Sequence, residues 1–264
     1  MKGAIGSKIN LSAVVIARNE ESAIGACLDS IAWCHEILLV DSGSTDRSCE
    51  IAIERGARVI DHEWEGYGRQ KNFAVRQAKN NWVLCIDADE IVSQDLHAGI
   101  EKALSGPAFR AYEMARCNRF LGRWLRHGEG YPDRILRLFD RRVANWSDDP
   151  IHEKVLTDVE VGRLDGDLLH DSAQTLHSYL EKQNRYTSLQ AEMLYRNGAR
   201  PSLFKLAFSP IARFLKFYFL RRGFLDGVPG LVHILIGCNN TLMKNVKLLA
   251  LSTRNGDHDA TGGS

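Results

Sequence analysis

The first hundred residues alternate short apolar runs with helix-period patterns, and the runs that end cleanly end in polar residues. Residues 11–17 read as a buried strand, after which Asn19 can cap a helix whose apolar stripe is Ile24, Cys27, Leu28 and Ile31. Residues 37–40 predict a second strand. It runs into Asp41-Ser42-Gly43-Ser44-Thr45-Asp46, a turn suited to capping a helix that ends near Gly56. Residues 57–60 predict a third strand, and after a Gly-rich segment a helix over about 70–78 leads to a strand at 82–86, with Asp87 immediately after it. Strands alternating with helices in this way indicate βαβ units and a parallel sheet. From about Phe109 the alternation weakens and arginine becomes dense, from Arg110 and Arg116 through Arg134, Arg137, Arg141 and Arg142. A simple doubly wound sheet is not expected to continue there. Residues 135–139 still read as a strand, 148–155 as a loop entering another, and 175–198 as a helix.

Composition narrows the class. A chain of 264 residues, 44% hydrophobic and 25% charged, can bury the core of one large α/β domain with a smaller appendage and needs no staple. Such values argue against disorder and against a multi-span membrane protein. The six cysteines are widely spaced and form no Cys-x-x-Cys pair, which predicts free thiols in a reducing cytosol. The first apolar run stops at Arg18, too short for a signal-peptide core, so a cytoplasmic protein is expected.

The net charge of +1 conceals an asymmetry: residues 1–100 hold 10 Lys+Arg against 15 Asp+Glu, and the rest 24 against 18. That excess suits anionic lipid, phosphate, an acidic acceptor or plain solvent; no nucleic acid partner is expected. Residues 201–251 carry seven Lys or Arg and one acid, Asp226, among Phe204, Phe208, Phe214, Phe217, Tyr218 and Phe219. This favours a basic amphipathic region lying on an anionic membrane surface, over a helical subdomain packed on the core or a second subunit. The apolar stretch at 231–236, interrupted by His233, falls short of the roughly 20 residues that span a bilayer.

The chemistry centres on Asp87-Ala88-Asp89. In open parallel sheets ligands bind beyond the carboxyl ends of the strands, where Arg18, Asp41 and Asp87 all fall. Two carboxylates there are hard ligands for Mg²⁺ or Mn²⁺, whose remaining positions phosphate oxygens and water fill. Asp-x-Asp alone also fits a solvated loop. In Gly66-Tyr67-Gly68-Arg69-Gln70-Lys71-Asn72 two glycines let backbone approach a ligand, while Lys71 and Asn72 can donate to phosphate or sugar oxygens; the alternative is a flexible turn before a helix. Arg134 and Arg137 suit either a phosphate clamp or a solvated strand face, and His152 and His170 either a metal or diphosphate contact or a structural role.

Ala17-Arg18-Asn19-Glu20-Glu21, the Asp41 to Asp46 turn, the Gly66 to Asn72 segment and Asp87-Ala88-Asp89-Glu90 resemble, in order and spacing, the donor domain of glycosyltransferase family 2. The resemblance implies a GT-A fold, Rossmann-like and α/β, a nucleoside-diphosphate sugar donor, a divalent cation and inversion at the anomeric carbon. It implies that Asp41 binds the base, that Ala17, Arg18 and Glu20 line the nucleoside, that Lys71, Asn72 and Ala88 contact the nucleotide sugar, and that Asp87 meets ribose or metal. Asp89 would be the principal metal ligand. Ile151-His152-Glu153 resembles the family's acidic element after the metal motif, which implies Glu153 as the base, with Asp148 and Asp149 in reserve.

A closer resemblance, carried by the Gly66 to Asn72 segment, Ile151-His152-Glu153 and Arg222-Gly223-Phe224-Leu225-Asp226-Gly227, is to the lipopolysaccharide core β-1,4-glucosyltransferases. It implies UDP-glucose and an inner-core heptose at the inner face of the cytoplasmic membrane. Transfer to a polyprenyl phosphate, and a non-catalytic sugar-nucleotide-binding assembly factor, are the alternatives. The expected division is a nucleotide-sugar-binding half at 1–105, an acceptor-binding half at 106–175, a helical membrane-associating region at 176–252 and a disordered tail at 253–264.

Overall fold

Apolar runs become strands wherever both of their faces find cover. In the computed structural model, which describes residues 9–149, 153–172 and 175–260, the first half runs β1 (Ile9–Ala17), α1 (Ile24–Ser30), β2 (Cys34–Asp41), α2 (Ser48–Glu54), β3 (Arg58–Asp61), α3 (Tyr67–Gln77), β4 (Trp82–Asp87), β5 (Glu90–Val92) and α4 (Gln94–Ser105). There follow β6 (Ala111–Phe120), β7 (Arg123–Trp124), β8 (Asp133–Asp140), β9 (Ala144–Trp146), β10 (Val155–Thr157) and β11 (Val161–His170). The chain divides into two compact units, one holding residues up to Cys117 with Pro132–Asp171, the other Asn118–Tyr131 with the residues from Ser172 on.

The first unit is built on a sheet whose order is β3-β2-β1-β4-β8-β6-β11-β5. Strands β1 to β4 are parallel; β8 then pairs antiparallel with β4 and β6, and β5 antiparallel with β11. Leu11, Ala13 and Val15 of β1 face a core with Ile24, Cys27, Leu28 and Ile31, whereas Val14 faces the opposite core with Ala74, Val75 and Phe139. Burial on both faces is why these strands read as unbroken apolar runs. The mixed sheet also explains the loss of the βαβ rhythm after Phe109: antiparallel strands need no crossover helices.

Two local expectations change. Asn19 does not cap α1, which begins at Ile24 with Ala23 before it and no side-chain cap. Asn19 instead takes φ 57° and its Oδ1 accepts from Thr45 N at 2.8 Å, so it laces two loops together, in a conformation that asparagine tolerates better than most residues. The Gly-rich segment is not a loop either, for α3 starts at Tyr67. A Cβ on Gly68 would lie 1.9 Å from the Ser147 carbonyl oxygen, so this glycine serves close packing of α3 on the chain's own backbone rather than approach to a ligand.

The second unit is helical: α5 (Leu176–Arg196), α6 (Leu203–Phe214), a π-helical turn (Leu215–Leu220), a 3₁₀ turn (Gly223–Asp226) and α7 (Gly227–Ala260). Thr175 and Ser202 cap α5 and α6 through their hydroxyls, as oxygen acceptors do for the free N–H groups of a first turn. Helices α5 and α6 both pack on α7. The Arg222 to Gly227 motif is a stitch: buried Asp226 accepts from His127 N at 2.8 Å and meets His127 Nδ1 at 3.0 Å. A Cβ on Gly230 would lie 2.6 Å from that of Asp226. Helix α7 continues to Ala260, through most of the stretch expected as a disordered tail, and residues 261–264 lie outside the described ones. No described helix is long and apolar enough to cross a membrane.

Candidate active site

Strand register assembles the site. Ala17 lies opposite Asp41, Asp41 opposite Asp61, and Ile16 opposite Asp87, so the carboxyl ends of β1, β2, β3 and β4 open on one edge. Ala88 and Asp89 form the turn between β4 and β5. Pairing of β5 with β11 sets His170 opposite Glu90, which brings His170 Nε2 to 3.1 Å from Asp89 Oδ2, while Asp171 N donates to Asp89 O at 3.1 Å.

Beneath the motif lies a buried charge network. Lys71 reaches Asp87 Oδ1 at 3.0 Å and Glu153 Oε1 at 3.1 Å, with Nζ 4.5 Å from the centre of the Trp146 ring. Arg137 donates to Asp87 Oδ2 at 2.7 Å and to Glu90 Oε1 at 3.3 Å; its Cζ lies 5.3 Å from the same ring. Glu90 is fully buried and accepts from Asp87 N at 2.9 Å. Burial would push Asp87 up, but the Arg137 and Lys71 charges outweigh it and hold this carboxyl far below the usual range. Burial pushes Glu90 above that range against the pull of Arg137, and the Asp87 charge adds to the effect. Glu20 is raised as well, first by burial and then by the charges of Asp89, Asp46 and Asp87.

Breaking a buried pair by removing one partner leaves an uncompensated charge. Arg137→Met is therefore expected to destabilise the protein by about 3 kcal/mol, read from the urea unfolding midpoint. Adding Glu90→Gln should recover part of that loss, and a double variant no more stable than the single would show that the pair is not coupled.

The donor set suits a hard divalent cation at Asp89, whose carboxylate stands among other acids and is one quarter exposed, at 26%. Asp87 suits it less directly, because both of its oxygens are engaged by Lys71 and Arg137. Among the described residues, three metal-ligating side chains come together only at Asp41, Cys49 and Asp61. There, burial followed by the surrounding carboxylates pushes the Cys49 thiol up to about 11. Asp87 and Asp89 thus form no closed cage, as befits an ion that takes most of its ligands from phosphate and water.

The remaining expected residues divide plainly. Asp41 is buried and its Oδ2 accepts from Gly43 N and Ser44 N at 3.0 and 2.8 Å, so it shapes the loop at the end of β2. Ala17 and Ala88 are buried, Arg18 is exposed and Glu20 half-buried. Asn72 spends its side chain on both backbone groups of Trp146, at 2.8 and 2.9 Å. Arg134 is exposed and away from the network, whereas Arg137 clamps carboxylates. Asp148 and Asp149 are exposed, and His152 lies outside the described residues. Trp146 carried no signal of its own in the sequence, and Glu90 entered only as the last residue of the Asp87 to Glu90 motif; the aromatic placed under two cations reveals the role of Trp146.

Residues 12–155 match the family model described as "Glycosyl transferase family 2". The chain belongs to glycosyltransferase family 2. It is 31% identical over 249 residues to "Lipopolysaccharide core biosynthesis glycosyltransferase LpsC" of Rhizobium meliloti (strain 1021), covering 91% of this chain and 92% of that one. It is 32% identical to an uncharacterised glycosyltransferase of Rickettsia typhi, covering 93% and 89%. Among solved structures, the mannosyltransferase PcManGT of Pyrobaculum calidifontis, in complex with GDP-Man and Mn²⁺, superposes with a TM-score of 0.51 at 18% identity, covering 95% of this chain and 88% of that one. That likeness shows the GT-A fold of this family 2 member: a mixed α/β sheet, here with a long C-terminal helix.

Proposed function

We propose that this family 2 enzyme is an inverting hexosyltransferase that uses Mg²⁺ or Mn²⁺ and moves glucose from UDP-glucose onto an inner-core heptose of lipopolysaccharide, at the inner face of the cytoplasmic membrane. The observation that carries the reading is Lys71, one buried ammonium joining Asp87 of the metal motif to Glu153. That one contact sets Glu153 beside the Asp-x-Asp motif, which supports reading Glu153 as the base for an attacking hydroxyl next to the diphosphate. The name of the LpsC relative supports the choice of acceptor.

Asp89, with Asp87 behind it, holds the divalent ion, which when bound neutralises charge on the diphosphate. Ala17, Arg18, Glu20 and Asp41 form the nucleoside edge, and Lys71, Asn72 and Ala88 the floor beneath the sugar diphosphate. Arg137, whose Nη2 donates to Asp87 Oδ2 at 2.7 Å, forms the wall behind Asp87. Glu153 takes the proton from the acceptor hydroxyl as its oxygen forms the new glycosidic bond, and the bond to the diphosphate breaks on the opposite face. Configuration inverts in that single displacement.

The test is UDP release from a panel of UDP-sugars with truncated lipopolysaccharide, in Mn²⁺ or Mg²⁺ and then in chelator. UDP-glucose should turn over fastest, and chelator should stop it. Equal turnover in chelator would remove the metal, a preferred different sugar would reassign the donor, and no binding of any sugar nucleotide at millimolar concentration would end the reading.

A further inference from the structure

Helix α6 and its π-helical extension leave one face uncovered. Phe204, Phe208, Ile211, Leu215 and Phe219 are all exposed. Over the 15 residues from Phe204 to Phe219 an ordinary α-helix would carry the stripe about 60° around its axis. The π turn at Leu215–Leu220 advances less per residue and takes back much of that drift, so the apolar line stays on one side. At its end the chain reverses through Arg222, which adopts φ 54° and ψ 32°, the left-handed conformation that glycine commonly fills after a helix. The tip on either side of Arg222 exposes Leu220 at 80%, Val228 at 70%, and Phe224 and Leu225 between them.

The charge around this face has one sign. Lys205, Lys216, Arg221 and Arg222 are exposed along it, and the single acid of residues 201–251, Asp226, is buried against His127. A symmetric contact with a second copy would bring two such basic rims together. An anionic lipid surface offers the opposite sign to the rim and an acyl boundary to the rings.

We propose that the outer face of α6, the π turn and the tip at residues 220–228 form a wedge that lies in the interface of an anionic bilayer, with Arg221 and Arg222 on lipid phosphates. It gives the proposed enzyme the means to meet a lipid-carried acceptor, and it rests on that reading for its purpose, though not for its test. A left-handed Arg222 is then the backbone strain of presenting a cation at the tip.

The full-length protein is sedimented with phosphatidylcholine vesicles, with and without phosphatidylglycerol. Binding is expected only with the anionic lipid and is expected to fall with salt. Leu220→Ser with Phe224→Ser should weaken it about tenfold or more. Arg221→Gln with Arg222→Gly, where glycine suits the backbone, should weaken it about tenfold. Both pairs should leave UDP-glucose binding, measured by calorimetry, unchanged, which also shows that the variants are folded. Equal binding to neutral vesicles, or no loss in either variant, would overturn the wedge. So would a concentration-dependent dimer that the same substitutions dissolve without any vesicle binding, which assigns the face to a second copy. Vesicle binding with no sugar nucleotide bound would sink the proposed reaction and leave the wedge standing.

Discussion

Asp89→Asn is expected to lower kcat/KM for sugar transfer about a thousandfold, about 4 kcal/mol of transition-state stabilisation. Asparagine keeps the size of the side chain and its oxygen can still meet His170, which lies 3.1 Å from Asp89 Oδ2, so the β4–β5 turn should hold. What disappears is a negative charge at the one motif carboxylate that no buried cation already engages. Lys71 and Arg137 neutralise Asp87, so Asp87 cannot substitute for it. Donor binding should lose its dependence on Mn²⁺ or Mg²⁺, measured by calorimetry with and without the ion. A variant that keeps metal-dependent donor binding would move the ion elsewhere, with Asp41, Cys49 and Asp61 the first place to look.

Glu153→Gln is expected to lower kcat by about a thousandfold while leaving donor affinity within about twofold. The substitution removes a proton acceptor and little else: glutamine retains an oxygen for Lys71, which stays paired with Asp87 at 3.0 Å. Loss of donor affinity together with rate would make Glu153 a structural anchor for Lys71 instead. Substantial residual transfer with intact binding would pass the role of base to another carboxylate, Asp148 or Asp149.

These two expectations separate what the chain announces from what folding arranges. Asp89 and Glu153 could be singled out because carboxylates after an apolar run, and a His-Glu pair within a family-like order, are local signals. The strands were legible for a related reason: burial on both faces leaves a continuous apolar run that a single sequence displays. Asn72 and Gly68 are residue types that suit a ligand as well as they suit backbone packing, and the sequence does not show the packing. Their partners, Trp146 and Ser147, lie more than seventy residues away.

By itself the sequence determined the parallel half of the sheet, the position of the Asp-x-Asp motif at a strand end, and the basic, aromatic character of residues 201–251. Each of these depends on the order of neighbouring residue types. Tertiary structure alone decided that Asp87 is held by Lys71 and Arg137 over Trp146, that Asp89 meets His170 instead, and that a π turn keeps one apolar face in line. These depend on strand register and on how far one turn of helix rotates, and such distances between remote residues exist only once the chain has closed on itself.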